Sequence, residues 1–469
     1  MDTTTLKGKY GEAHVMLPRD AIADTALAQI RSFLDHPAFT SHIAVMPDTH
    51  AGKGAVIGFT MPMTERVIPN VIGVDIGCGM MSFNIGSDLA IDHDHVDAYV
   101  RAKVPFGFEI HEQPLLDMGP SFPWERARRL GRSLAAWWGV TYGHTVEPVR
   151  YDMDWFVAKC RQVGIDHKRA LNSLGSLGGG NHFIELGRST ADGSTWVTIH
   201  SGSRAFGLKI ATYWQSIAAK RFKKGSKEEL KAEILRIRET ATDKRDISRL
   251  IAEARASHGI NRAIPEGLEW LEGEDAVGYL FDMLFAQVYA EVNRELMADV
   301  LAKALDVEVL DTVCSTHNYI DFADRMIRKG AIRSYEGERM VIPFNMRDGV
   351  LICEGRSNDH WNCSAPHGAG RVMSRRRAHR ELDVEQFREQ MRDVYSTSVG
   401  AGTLDEAPGA YKPAELIEAA IAPTAQIQHR LVPIHSMKAA GGGPRRKRKT
   451  DGSSARASKS KKSRRKRRR

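Results

Sequence analysis

Cysteine is scarce: the chain has five in 469 residues, Cys78, Cys160, Cys314, Cys353 and Cys363. So sparse and odd a set excludes a disulfide framework and suits a reducing, cytoplasmic compartment. No run of about 18 uninterrupted apolar residues occurs, and the first twenty residues carry no apolar stretch behind a charged start, so neither a membrane span nor an export signal is expected. Aromatic residues are few, at 7%, and no internal repeat is present. Acidic charge is nearly missing from one place only. Residues 441–469 hold 15 Lys/Arg and a single Asp, so they carry +14 where the whole chain carries +9, and the other 440 residues sum to −5. Gly, Ser and basic residues without apolar periodicity bury too little surface to fold. This tail is expected to be disordered and to meet a polyanion through salt-dependent, sequence-blind attraction; a solubilising extension is the alternative.

The body alternates short β-like runs with helical patterns. IAVMPDTH (43–50), VIGVDIGCGM (71–80), HFIEL (182–186), WVTIH (196–200) and VEVLDTV (307–313) end in Gly, Asp or His, and a long helical stretch runs from about 203 to 305. Its first half is charge-rich and expected to face solvent; its second has three- and four-residue apolar spacing and is expected to pack on the core. The pattern predicts a mixed α/β (α+β) chain. Because its unusual stretches run from residue 46 to residue 412, the expectation is one large domain, 1–440, with a helical insertion at about 203–305 and the tail 441–469.

Five places can carry chemistry. In GVDIGCGM the apolar residues are expected to form a strand ending at Asp75, with Cys78 in the glycine turn that follows; the two can converge on one ion, or the turn is structural with a buried thiol. In GGGNHFIEL, period-two alternation puts His182 and Ile184 on one face and Asn181, Phe183 and Glu185 on the other, so that a histidine faces an ion and the amide and carboxyl face an organic ligand, or the histidine is a satisfied strand-edge residue. VTIHSGSR ends a strand at His200 and enters a helix with Ser201, Ser203 and Arg204 placed to hold a phosphate. CSTHNY supplies His317. Cys78, His182, His200 and His317, with Asp75 bridging or second, form a possible zinc or manganese set that spacing alone does not establish. In SAPHGAGRVMSR (364–375), His367 reads as opening a helix with Arg371 and Arg375 on one face, a place suited to a phosphate. Imidazole can attack phosphorus; a capping histidine is the alternative.

Taken together and in order, MPDTHAGKG (46–54), VIGVDIGCGM, GGGNHFIEL, HSGSR, THNY, RKGA (328–331), PHGAGRVMSR and AYK (410–412) resemble the RtcB family of RNA ligases over about residues 10–440. The resemblance implies a fold of mixed β-sheets around a metal centre. It also implies a ligase, acting as a monomer, that uses GTP and Mn2+ to join an RNA 3′-phosphate or 2′,3′-cyclic phosphate to a 5′-hydroxyl in RNA repair or tRNA splicing. Carried over by motif, Asp75, Cys78, His182, His200 and His317 are the ligands of two manganese ions, and His367 is the histidine that takes GMP. Asn181, Glu185, Tyr411 and Lys438 match nucleotide-holding positions. Asn345, in PFNMRDG, stands where the family has a serine, and Lys438, usually near the end, continues here into the tail. Lys53, Arg204, Arg371 and Arg375 are the implied phosphate or RNA contacts. Two other readings stay open: an RNA-binding protein that does not ligate, and a metal-dependent cyclic phosphodiesterase acting on RNA ends.

Overall fold

The computed structural model of the chain describes residues 2–439 apart from 88, 241–245, 252 and 255–263; the basic stretch 441–469 lies outside the described residues. A seven-stranded antiparallel sheet forms the centre. Its order is β12 (Arg339–Pro343), β13 (Val350–Gly355), β15 (Ala425–Lys438), β6 (Phe183–Ser189), β7 (Thr195–Ser201), β5 (Gly79–Asn84) and β8 (Asp311–Thr316). A second sheet orders β1 (Thr4–Lys7), β2 (Glu12–Val15), β3 (Ile43–Val45), β4 (Phe59–Pro62), β10 (Met326–Lys329) and β9 (Asn318–Asp321), with one parallel pair, β2 with β3. A two-stranded piece joins β11 (Ala331–Arg333) to β14 (Ser364–Pro366). The mixed α/β class is as the sequence pattern predicts.

The sheets meet where the chemistry-bearing residues lie. β8 belongs to the central sheet and β9 to the second, and His317 is the single residue between them. Its amide donates to the Cys78 carbonyl at 3.0 Å, and the Gly77 amide donates to the Asn318 carbonyl at 2.9 Å, which ties the 75–78 turn to the crossing point.

The long helical stretch resolves into a helix at Arg204–Thr240 and another at Gly273–Leu305. The first buries Phe206, Ile210, Trp214 and Ala218, after which its described side chains are exposed or half-buried. The second is buried along most of its length, with Tyr279, Leu280, Met283, Leu284 and Leu301 at 0% exposure. Each such apolar side chain contributes about 1.5–3 kcal/mol against leaving it in water. Two polar residues are buried in the same helix for a reason. Asn293 accepts from the amides of Gly175 and Ser176 and donates to the Gly202 carbonyl, and Arg294 donates to the carbonyls of Gly77 (3.0 Å) and Ser201 (2.9 Å). The helix thereby clamps three loops whose carbonyls would otherwise be buried without donors.

Three local expectations are corrected. The 71–80 segment is not a strand ending at Asp75: a helical turn at Pro69–Ile72 comes first, Gly73 takes a positive φ of 104°, and the strand begins after Cys78, at Gly79. Proline at the first helical position and a glycine able to reverse the chain outweigh the apolar run. The strand expected at 307–313 starts only at Asp311. His367 does not open a helix; it follows β14, and the helix Arg375–Glu381 begins eight residues later behind the N-cap Ser374. Between them, Gly370 (φ +72°) lies so close to Asp48 that a Cβ there would stand 2.2 Å from the Asp48 carbonyl oxygen. That packing holds the segment non-helical, and Arg371 lies before the helix, not on its face.

Candidate metal and nucleotide site

Five side chains converge at one end of the central sheet. Cys78 Sγ lies 3.2 Å from His200 Nε2 and 3.4 Å from His182 Nε2. His200 Nε2 is 3.2 Å from His317 Nε2, and His182 Nε2 is 2.9 Å from Asp75 Oδ2. They fall into two sets, Cys78–His200–His317 and Asp75–Cys78–His182, each with its ligand atoms within 4.8 Å of one another. The thiol, rather than Asp75, is the member common to both.

The orientation of the rings is fixed from behind. His182 Nδ1 is 2.8 Å from the Leu177 carbonyl and His200 Nδ1 is 3.0 Å from the Asn181 carbonyl, so both carry the proton on Nδ1 and turn an Nε2 lone pair inward. Burial first, and then neighbouring imidazoles, hold His200 and His317 well below the usual histidine range, which keeps them neutral as ligation requires. Burial and then the adjacent Asp75 push the Cys78 thiol well above its usual value, a cost that a cation between them reverses. Asp75 Oδ1 and His317 Nδ1 are buried without a hydrogen-bond partner. Inward-facing nitrogens, sulfur and carboxylate with one orphaned oxygen fit divalent metal; the mix of hard oxygen, imidazole and thiolate is compatible with manganese or zinc.

A cavity of about 290 Å³ opens beside this cluster. Asn181, Phe183 and Glu185 line it, while Ile184, pointing the other way, packs in the core with Leu186 and Val197. His200, His317, Asn345, His367, Arg371, Arg375, Tyr411 and Lys438 line it as well. His367 stands with its ring centroid 4.8 Å from that of His317. Its Nδ1 is 2.5 Å from Oδ2 of Asp48, a carboxylate with no exposed surface. Asp48 thus accepts a hydrogen bond from Nδ1–H, which leaves the ring's lone pair on Nε2.

The cationic wall is organised by two acids that the motif reading omitted, Asp405 and Glu406. Glu406 is 3.3 Å from Arg371, 3.1 Å from Arg375 and 2.8 Å from Lys438, and accepts from the Tyr411 hydroxyl at 2.6 Å. Burial alone would raise its carboxyl; the charges of Lys438 and Arg375 outweigh that and hold it below the usual range. Arg375 also pairs with Asp405 at 2.8 Å. Burial pushes the Glu185 carboxyl up to about 8 against a smaller opposing pull from Lys438. Asn345 donates to Asp348 Oδ2 at 2.7 Å and its own Oδ1 caps the amides of Arg347 and Asp348.

Arg204 and Lys53, also named from sequence, do not line the cavity. Arg204, at a positive φ of 55°, sits behind the cluster, donating to Ser176 Oγ (3.0 Å) and the Gly107 carbonyl (2.9 Å). Lys53 is exposed and donates to Gln215 at 3.2 Å. The hydroxyls of Ser201 and Ser203 are buried, the first donating to the Leu177 carbonyl. Asp48, Asp405 and Glu406 were missed; the adjacent acid pair in DEAPGAYK, just ahead of Tyr411, was the available signal.

The family model for the tRNA-splicing ligase RtcB matches residues 29–439. The RNA-splicing ligase RtcB of Escherichia coli (strain K12) is 30% identical over 413 residues, covering 82% of this chain and 86% of that protein. The tRNA-splicing ligases RtcB of Pyrobaculum aerophilum and Thermococcus kodakarensis are 28% and 24% identical, covering 80% and 83% of this chain and 83% and 85% of theirs. A match that takes in every residue of the cluster and of the cavity wall makes this chain a member of the RtcB family.

Proposed function

We propose that the protein is a GTP- and Mn2+-dependent RNA ligase that joins 3′-phosphate or 2′,3′-cyclic phosphate ends to 5′-hydroxyl ends through a histidine–GMP intermediate on His367. The observation that carries this reading is the ring of His367, held through Nδ1 by a buried carboxylate and set beside the His317 edge of the cluster. A histidine fixed in this way suits attack on phosphorus better than ligation.

In this reading Nε2 attacks the α-phosphorus of GTP, a P–N bond forms, and the P–O bond to pyrophosphate breaks. The RNA 3′-phosphate oxygen then takes GMP and restores the imidazole. The 5′-hydroxyl next attacks the 3′-phosphorus, its proton is lost, and GMP leaves; a cyclic phosphate is first opened by water. Asp75, Cys78, His182, His200 and His317 would hold two Mn2+ ions, which supply Lewis-acid charge to phosphoryl oxygens and lower the pKa of an attacking oxygen. Asp48 keeps the His367 ring oriented and stabilises the cation formed when Nε2 binds phosphorus. Asn181, Glu185, Asn345, Tyr411 and Lys438 hold the nucleotide, and Arg371 and Arg375 face its phosphates, with Arg204 and Lys53 as outer basic residues.

The test is to incubate the protein with Mn2+ and GTP labelled at the α-phosphate. Acid-labile label on the protein is expected, and its loss in His367→Ala. Absence of label from the unaltered protein with every nucleotide supplied would refute the mechanism.

A further inference from the structure

An exposed aromatic and an unpaired arginine edge flank the cavity, and neither is used by the chemistry above. Phe108 has 63% of its surface in solvent on a loop beside the cluster. That loop is docked on the glycine run that leads to His182: the Gly107 amide donates to the Gly178 carbonyl at 2.8 Å, and Phe106 forms a β-bridge with Gly178. On its far side the same run meets the arginine helix. A Cβ added to Gly179 would lie 3.6 Å from Gly107, and one added to Gly180 would lie 3.4 Å from the Arg375 guanidinium. Phe108, the glycine run and the helix Arg375–Glu381 therefore form one continuous strip past the metal cluster.

The charges on that helix are not alike. Arg375 and His379 turn to Asp405, and Arg377 pairs with Glu381. Arg376 and Arg380, four apart and so on one face, are exposed and have no ion-pair partner among the described residues. An unburied phenyl ring, the accessible backbone of Gly179 and Gly180, and two uncompensated guanidinium groups match what a single-stranded nucleic acid needs. The ring gives a base a stacking face, and the arginines meet its phosphates.

We infer that this strip seats the single-stranded end of the RNA, with a base stacked on Phe108 and the backbone crossing the glycine run to Arg376 and Arg380. The inference rests on the reading that RNA is the substrate. None of the three side chains touches the cavity or the cluster, so the seat acts on RNA affinity and not on nucleotide transfer to His367.

The test uses the full chain, a fluorescent oligoribonucleotide with a 3′-phosphate, and anisotropy measured across a salt series. Phe108→Ala is expected to bind about tenfold more weakly with an unchanged salt slope, and Phe108→Tyr to restore binding. The double variant Arg376→Ala/Arg380→Ala is expected to lower the slope of log affinity against log salt by about 1.4, about 0.7 per lost phosphate contact. GTP labelling of His367 should match the unaltered protein in all three. RNA affinity within twofold of the unaltered protein in Phe108→Ala, or an undiminished slope in the double variant, would overturn the seat. Loss of labelling in the unaltered protein would instead overturn the ligase mechanism while leaving the binding result to stand.

Discussion

The ligand wall, which is the Cys–His cluster beside the cavity, and the cationic wall of the cavity itself solve the burial of polar groups in different ways. On the ligand wall, Cys78, His182, His200 and His317 are held by backbone: carbonyls of Leu177 and Asn181 take the ring protons, and the Cys78 carbonyl takes the His317 amide. On the cationic wall, Arg371, Arg375, Tyr411 and Lys438 all bond one side chain, Glu406. The first wall is fixed by the fold and charged by whatever binds there. The second carries its own counter-charge, with Glu406 the acid that all four share and Asp405 a further partner of Arg375, and an anion entering the cavity competes with these carboxylates for the same cations.

The largest effect is therefore expected from Glu406→Ala. Removing one partner of a buried charge network leaves the others uncompensated, at a cost of about 3–5 kcal/mol. The residue is 3% exposed and Lys438 5%, so solvent screens little of this. Denaturant unfolding of the variant should show a drop of about that size, and a loss under about 1 kcal/mol would mean that the cationic wall is held by the backbone as the ligand wall is.

On the ligand wall the corresponding test is Cys78→Ala against Asp75→Ala. Cys78 belongs to both ligand sets and Asp75 to one. Losing a mere outer-sphere partner costs a metal site about 10–100-fold, so loss of the shared thiol should cost more than about 100-fold in Mn2+ affinity at both positions. Asp75→Ala should spare the Cys78–His200–His317 position. Equal metal content in both variants by elemental analysis would mean that the thiol is not shared.

The ligand wall was the more legible of the two in the sequence, and the reason is the same difference. His182 and His200 stand at the ends of β6 and β7, whose period-two pattern can be read locally, and that pattern also separated Asn181, Phe183 and Glu185 from Ile184. The turn at Asp75–Cys78 was found although its strand was put on the wrong side, because the glycines that mark a turn do not say which flank is extended. His317 was named only as the histidine of CSTHNY, since nothing local marks a residue that crosses between sheets. Long-range pairs were not readable at all. Asp48 meets His367 across 319 positions, and the Asn293–Arg294 clamp meets Gly77, Ser176 and Ser201 through the tertiary fold alone. An acid that pairs with four residues looks in sequence like any other acid.

Glu185 gives the comparison a pH dependence. Its carboxyl is pushed from an ordinary 4.5 to about 8 by burial, so between those values the folded chain holds a proton that the unfolded chain has lost. The sign follows: the folded state binds more protons, and stability falls as pH rises through that window. Glu185→Gln removes the titrating group and keeps the shape. The variant should match the unaltered protein near about pH 5, gain on it as pH rises, and level off above about pH 8 with an advantage on the order of 4 kcal/mol. Parallel stability curves from pH 5 to 9 would show that Lys438 already compensates Glu185, and would extend the paired design of the cationic wall to β6.

The smallest effect is expected at Lys53, which tests where the cationic wall ends. Its side chain is exposed and donates only to Gln215, at 3.2 Å. Its buried duty belongs to the main chain, whose carbonyl accepts from the Lys329 ammonium. Alanine retains that carbonyl, so Lys53→Ala should change stability by no more than about 0.5 kcal/mol, the usual range for a surface substitution. Labelling of His367 should stay within twofold, since no Lys53 atom lines the cavity. Burial first, and then the Lys53 charge, lower Lys329 to about 7, so removing Lys53 makes that buried amine somewhat more basic without taking away its two carbonyl acceptors. A tenfold fall in labelling in Lys53→Ala, with stability unchanged, would show that the nucleotide's phosphates reach past Ile57 to the 51–54 loop and that the cationic wall has a second, unpaired half.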